Sequence, residues 1–94
     1  MASDIQVYGT DWCGVTFGVR EYLMRARMTY EYHDIDRDPD AERFVLAANE
    51  GRRRFPVIVV RGQVMTQPTV AELRRLLEEE DILPPAVRKR KQPE

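Results

Sequence analysis

Cysteine is almost missing from this chain: Cys13 is the only one among 94 residues. A single thiol cannot form an intramolecular disulfide, so disulfides do not hold the fold together. Histidine and tryptophan also occur once each, as His33 and Trp12. His33 has no second ligand near it in sequence, and no metal is assigned. No apolar stretch approaches the roughly 18 residues of a membrane span, and the opening "MASDIQVYG" has no apolar signal region. An excess of one charge is missing too. The 15 Lys and Arg residues face 16 Asp and Glu, for a net charge of −1 at pH 7, which leaves no overall field for nucleic acid. The expectation is a cytoplasmic domain with no membrane or nucleic-acid partner.

Hydrophobic residues make up 43% and charged residues 33%, a globular balance in a chain large enough for one core. "IQVY" (5–8), closed by Gly9, reads as a first strand. Val15, Val19, Tyr22, Leu23 and Ala26 then recur at helical spacing and predict one inward face. "TYEYHDI" (29–35), rich in aromatic and β-branched residues, predicts a second strand. Strand, helix and strand in so short a span predict a right-handed unit with parallel strands. A second helix follows, with Asp38 as cap, Pro39 in the first turn, an apolar stripe of Ala41, Phe44, Val45 and Ala48, and Gly51 at its left-handed end. "FPVIVV" (55–60) reads as a strand buried on both faces, and Arg61-Gly62 turns it into the strand "QVMTQ". Thr69 and Glu72 have capping-box spacing and open a last helix with Val70, Leu73, Leu76 and Leu77 facing inward. Residues 82–94 read as a flexible tail, with Pro84-Pro85 as a helix stop and a basic run at 88–91. The predicted order is β-α-β-α-β-β-α over residues 1–81, an α/β domain with a four-stranded mixed sheet flanked by helices.

Cys13 falls between the first strand and the first helix. A thiol there meets free backbone N–H groups and the positive end of the helix dipole, and both favour thiolate. The Thr16 hydroxyl can donate to the sulfur, Gly14 leaves room for a substrate, and Asp11 opposes by like-charge repulsion. Pro56 opens a strand that should be central, where a proline fits only as the first residue.

Three segments together resemble the glutaredoxin family of the thioredoxin superfamily: "VYGTDWCGVT", "FPVIVV" and "RGQVMTQPTVAEL". The match spans roughly residues 4–80. "T-x-W-C-G", and "TQP" where most members have Gly-Gly, are most similar to the mycoredoxin branch. The resemblance implies a thioredoxin-like fold and thiol–disulfide exchange with Cys13 as the nucleophile. It implies that Phe55 precedes a cis-proline at Pro56 and offers its backbone to the bound thiol. Thr66 and Gln67 stand in the place of the Gly-Gly pair. Thr69 stands where a residue holds the far end of the thiol, and Trp12, Gly14, Val15 and Thr16 complete the thiol-binding turn. Thr16 replaces the resolving cysteine of dithiol members, which implies a monothiol route.

The co-substrate so implied is a low-molecular-weight thiol, namely glutathione, mycothiol or bacillithiol, with no tightly bound cofactor. The partners implied are protein mixed disulfides, met by a monomer. Arg52 to Arg54, just before the thiol-binding strand, are placed to supply the basic charge usually found before the nucleophile. Two alternatives stay open: an iron–sulfur carrier related to Cys-Gly-Phe-Ser members, and a redox-inactive binding module.

Overall fold

The computed structural model describes residues 3–82. The expected tail, apart from Ile82, lies outside the described residues. The elements are β1 (Ile5–Gly9), α1 (Gly14–Arg25), β2 (Glu31–Asp34), α2 (Pro39–Ala48), β3 (Val57–Val60), β4 (Gln63–Thr66) and α3 (Val70–Glu79). The sheet order is β2-β1-β3-β4, with β1 and β2 parallel and the other two pairs antiparallel. This is the predicted element order.

Alternation along the strands divides the core between the two faces of the sheet. Ile5 and Val7 of β1, with Ile58 and Val60 of β3, pack against Val19, Leu23 and Ala26 of α1 and Leu73, Leu76 and Leu77 of α3. The other face carries a smaller cluster of Ile35, Ala41, Val45 and Val57, with Tyr8, Phe44 and Phe55 packed against it. Burying each large aliphatic side chain contributes about 1.5–3 kcal/mol, so this two-sided packing on β1 and β3 is the main support of a disulfide-free fold. His33 belongs to the structure: it stacks on Tyr8 with ring centroids 4.5 Å apart, and its Nε2 lies 2.6 Å from Gln6 Oε1.

The local signals act as expected at two helix starts. Asp38 Oδ1 accepts from the N–H groups of Asp40 and Ala41 at 3.0 and 3.3 Å. Thr69 and Glu72 form a complete capping box. Gly51 takes φ +85° after α2.

Several boundaries and faces differ from the sequence reading. β2 covers Glu31–Asp34, not 29–35, because β1 offers partners only from Gln6 to Gly9. β3 begins at Val57, since Pro56 has no N–H to give a ladder and the Phe55–Pro56 peptide bond is cis. The predicted α2 stripe fails at Ala48, which is exposed where the helix runs out into Asn49. Val70 is exposed at the first turn of α3. The largest correction concerns α1. Val15 is 57% exposed, whereas Thr16 is 1% exposed. The inward face is therefore Thr16, Val19, Leu23 and Ala26, with Tyr22 half-buried against the same core, and a polar residue holds its first position.

Candidate active site

The turn carrying Cys13 leaves the central strand β1 at Gly9 and enters α1 at Gly14. The Cys13 N–H donates to the Thr10 carbonyl at 3.4 Å, and its carbonyl accepts the first intrahelical bond from Phe17 at 3.0 Å. Cys13 is thus the N-cap, in extended conformation, half-buried and free. A carbon-bound sulfur is a poor cap, and Sγ accepts no capping hydrogen bond of standard geometry. It nevertheless faces the helix start. Burial pushes the thiol up, but the Thr16 hydroxyl and the N–H groups of Thr16 and Val15 outweigh it and hold the thiol below its ordinary value.

Thr16 shows how this is arranged. Its Oγ1 is buried and has no hydrogen-bond partner of standard geometry, a state that costs about 1–3 kcal/mol for a hydroxyl. A hydroxyl so placed next to Cys13 favours the thiolate, since a hydrogen bond to a charged acceptor is stronger than one to a neutral one. A Cβ built on Gly9 would lie 3.0 Å or less from Oγ1, Cγ2 and Cβ of Thr16. Only glycine at position 9 lets this side chain tuck beneath the turn. Around Gly14, by contrast, an added Cβ would meet no atom within 4 Å beyond its chain neighbours and its own helix backbone, so this side of the turn is open.

Thr16→Val keeps the shape and removes the donor. The Cys13 alkylation midpoint should move up toward that of an unperturbed thiol. Rate-versus-pH profiles with a haloacetamide check this, and an unmoved midpoint would remove Thr16 from the account of the thiolate.

Opposite lies the Phe55–Pro56 loop. Trp12 meets Phe55 edge-on, with ring centroids 5.6 Å apart and planes at 87°, so the Cys13 turn and the cis-proline loop adjoin. Gln67, in the left-handed region at φ +49°, donates its N–H to the Pro56 carbonyl at 2.8 Å. Its side-chain amide reaches the Phe55 carbonyl at 3.4 Å. Thr66 points elsewhere: its hydroxyl pairs with Asn49 Oδ1 at 2.8 Å, and Asn49 also donates to the Arg54 and Val45 carbonyls at 3.0 Å. The Thr69 hydroxyl accepts from Glu72 N–H within its capping box. Of the three residues taken from the "TQPT" stretch, Gln67 alone reaches the proline loop with its side chain, while Thr66 is held by Asn49 and Thr69 by its own capping box.

The charges near the site are arranged differently from expectation. Asp11 accepts from the Tyr32 hydroxyl at 2.9 Å and lies 3.9 Å from Arg20, so it is compensated and is not among the groups acting on the thiol. Arg20 in turn lies over the Tyr32 ring at 3.8 Å. Arg53 is ion-paired to Asp36 and Glu42, so it brings no free charge to the sulfur. Arg52 and Arg54 instead line a surface cavity of about 380 Å³ beside Asn49, Thr66 and Gln67.

Sequence reading missed Asp36. Its carboxylate accepts from the Trp12 indole N–H at 2.8 Å and holds Arg53 on its other oxygen. The available signal was topological. Parallel pairing sets Gly9 opposite Asp34, so residues just after β2 lie at the same sheet end as the turn after β1.

A mixed four-stranded sheet with a thiol at the start of its first helix, next to a cis-proline loop, defines a thioredoxin-fold protein. The family model for glutaredoxin matches residues 5–65, and the chain belongs to the glutaredoxin family. It is 31% identical to mycoredoxin 1 of Corynebacterium glutamicum over 72 residues, covering 76% of this chain and 89% of that protein. It is 30% identical over 74 residues to a candidate glutaredoxin of Mycobacterium tuberculosis, covering 78% of this chain and 88% of the relative. Among solved structures, the thioredoxin-like protein BC3987 superposes with a TM-score of 0.70 at 27% identity, covering 78% of this chain and 99% of that one. A buckwheat glutaredoxin–glutathione complex gives 0.66 at 20% identity, covering 86% and 76%, a likeness of fold.

Proposed function

We propose that the protein is a monothiol thiol–disulfide oxidoreductase that reduces mixed disulfides between proteins and a low-molecular-weight thiol. The domain would span residues 1–81 and work as a cytoplasmic monomer. The observation that carries the reading is the seat of the chain's one thiol at the N-cap of α1, beside the Phe55–Pro56 loop. Thr16, a hydrogen-bond donor, occupies the place where a second thiol would resolve an intramolecular disulfide.

In the first step the Cys13 thiolate attacks the small-thiol sulfur of the mixed disulfide. The Cys13–small-thiol bond forms, the old S–S bond breaks, and the protein substrate leaves as thiolate to take a proton from solvent. A second small thiolate then attacks the small-thiol sulfur of that adduct. It yields the oxidised small-thiol dimer and returns Cys13 as thiolate. The same donors that favour ionised Cys13 make it a good leaving group in this second step. In this reading Gly14 and Val15 border the sulfur, the Phe55 backbone lies along the bound thiol, and Pro56 shapes the groove. Trp12 walls it. Thr66, Gln67 and Thr69 border the thiol's far end.

The test is incubation with the disulfides of glutathione, mycothiol and bacillithiol, followed by intact mass and turnover. An adduct on Cys13 and turnover with one of the three is the expected result. No adduct with any, together with an alkylation midpoint near the ordinary value of about 8.5, would overturn the proposal. A brown dimer after anaerobic iron and sulfide reconstitution, without turnover, would replace it with cluster carriage.

A further inference from the structure

Four side chains close a ring of contacts over the junction between the Cys13 turn and the cis-proline loop. Asp36 accepts from the Trp12 indole at 2.8 Å and pairs with Arg53. The Arg53 guanidinium lies 5.3 Å from the centroid of the Phe55 ring, and Trp12 meets that same ring edge-on. Arg53 is fixed from a third side by Glu42 of α2 at 2.8 Å. Trp12 adjoins the nucleophile in the chain and Phe55 adjoins the cis-proline, so the ring ties together the two walls between which a bound thiol would lie.

We propose that Asp36 is a positioning residue for this groove. By holding the Trp12 indole and Arg53 at once, it fixes the aromatic wall of Trp12 and Phe55 and so sets the width of the slot beside Cys13. The inference rests on the proposed thiol–disulfide exchange and extends it to a residue that touches neither sulfur nor substrate. Stability is a poor explanation for the arrangement. Asp36 and Arg53 are more than a third exposed at their side chains, and exposed ion pairs contribute little to folding. Trp12 is 70% exposed even with its tether, and without it one edge contact with Phe55 would be its remaining side-chain hold. The wall, rather than the fold, is what the carboxylate secures.

Trp12 is the chain's one tryptophan, which makes the tether directly observable. Asp36→Ala removes both of its bonds, whereas Asp36→Asn keeps an acceptor for the indole and gives up the ion pair. In Asp36→Ala the anisotropy of Trp12 should fall and its acrylamide quenching constant rise, while the melting temperature stays close to that of the parent protein. KM for the mixed disulfide should rise about three- to fivefold, with kcat and the Cys13 alkylation midpoint held. Asp36→Asn should fall between the parent and Asp36→Ala in both fluorescence and KM. Unchanged Trp12 quenching in Asp36→Ala overturns the tether whatever the turnover does. Altered quenching with an unmoved KM overturns the positioning role. If the parent protein forms no adduct with any small thiol, the exchange reading itself fails, and the fluorescence arm still decides the tether.

Discussion

Cys13→Ser should leave a folded domain that forms no adduct with any small-thiol disulfide and shows no measurable exchange, a loss of at least about 10³-fold. The reasoning is stoichiometric as well as kinetic. With one cysteine in the chain, no neighbouring thiol can take over, and a serine hydroxyl is not ionised at neutral pH. Cys13 is half-buried at a helix N-cap where Sγ accepts no capping bond of standard geometry. Serine is a preferred N-cap, so the variant should be no less stable than the parent. Equal or higher melting temperature with abolished adduct formation is the expected pair of results; residual turnover at the parent rate would dismiss Cys13 as nucleophile. The pH dependence of the parent has a defined sign. Because the thiol is held below its ordinary value, its alkylation rate should rise at lower pH than that of an unperturbed thiol.

Gly9→Ala should be the most damaging single-methyl change in the domain. The new Cβ would sit within 3.0 Å of three atoms of Thr16. Gly9 lies on the central strand β1, paired on one side with Asp34 of β2, so backbone retreat is costly. Overpacking of this kind destabilises by about 1–3 kcal/mol, and each kcal/mol lowers the melting temperature of a domain this size by roughly 4–8 °C. The same push displaces the Thr16 hydroxyl, so the Cys13 midpoint should rise along with the loss of stability. Thr16→Ala removes two of the three close atoms. Gly9→Ala should therefore cost less in that background, by more than about 0.5 kcal/mol in a double-mutant cycle. Additive costs would show that the two residues are not coupled.

These two residues also mark where sequence reading stops. The strand–helix alternation, the Asp38 and Thr69 caps, the Arg61-Gly62 turn and the segments around Cys13 and Pro56 were all legible, because each depends on neighbours in the chain. The first position of the inward face of α1 was not. Val15, Val19, Tyr22, Leu23 and Ala26 form a plausible apolar stripe. Choosing Thr16 over Val15 for the buried side needs the cavity beneath Gly9, which hydrophobic periodicity does not contain. The site divides in the same way. Cys13 and Pro56 could be placed from their own context, and Gln67 among the thiol-binding residues by resemblance. The engagement of Thr66 by Asn49 and the neutralisation of Arg53 by Asp36 and Glu42 involve partners 11 to 17 residues away in the chain. Asp36 carried no local signal because its importance comes from the parallel register of β1 and β2.

That register has a further consequence for the timing of motions in the molecule. β1 is flanked on both sides by paired strands, whereas β4 closes the sheet with one partner and mostly exposed side chains. Edge segments open cheaply and central strands open only with the whole domain. The turn bearing Cys13 grows from the end of one of the two internal strands, so its anchor should outlast the fraying of β4 at the sheet's rim.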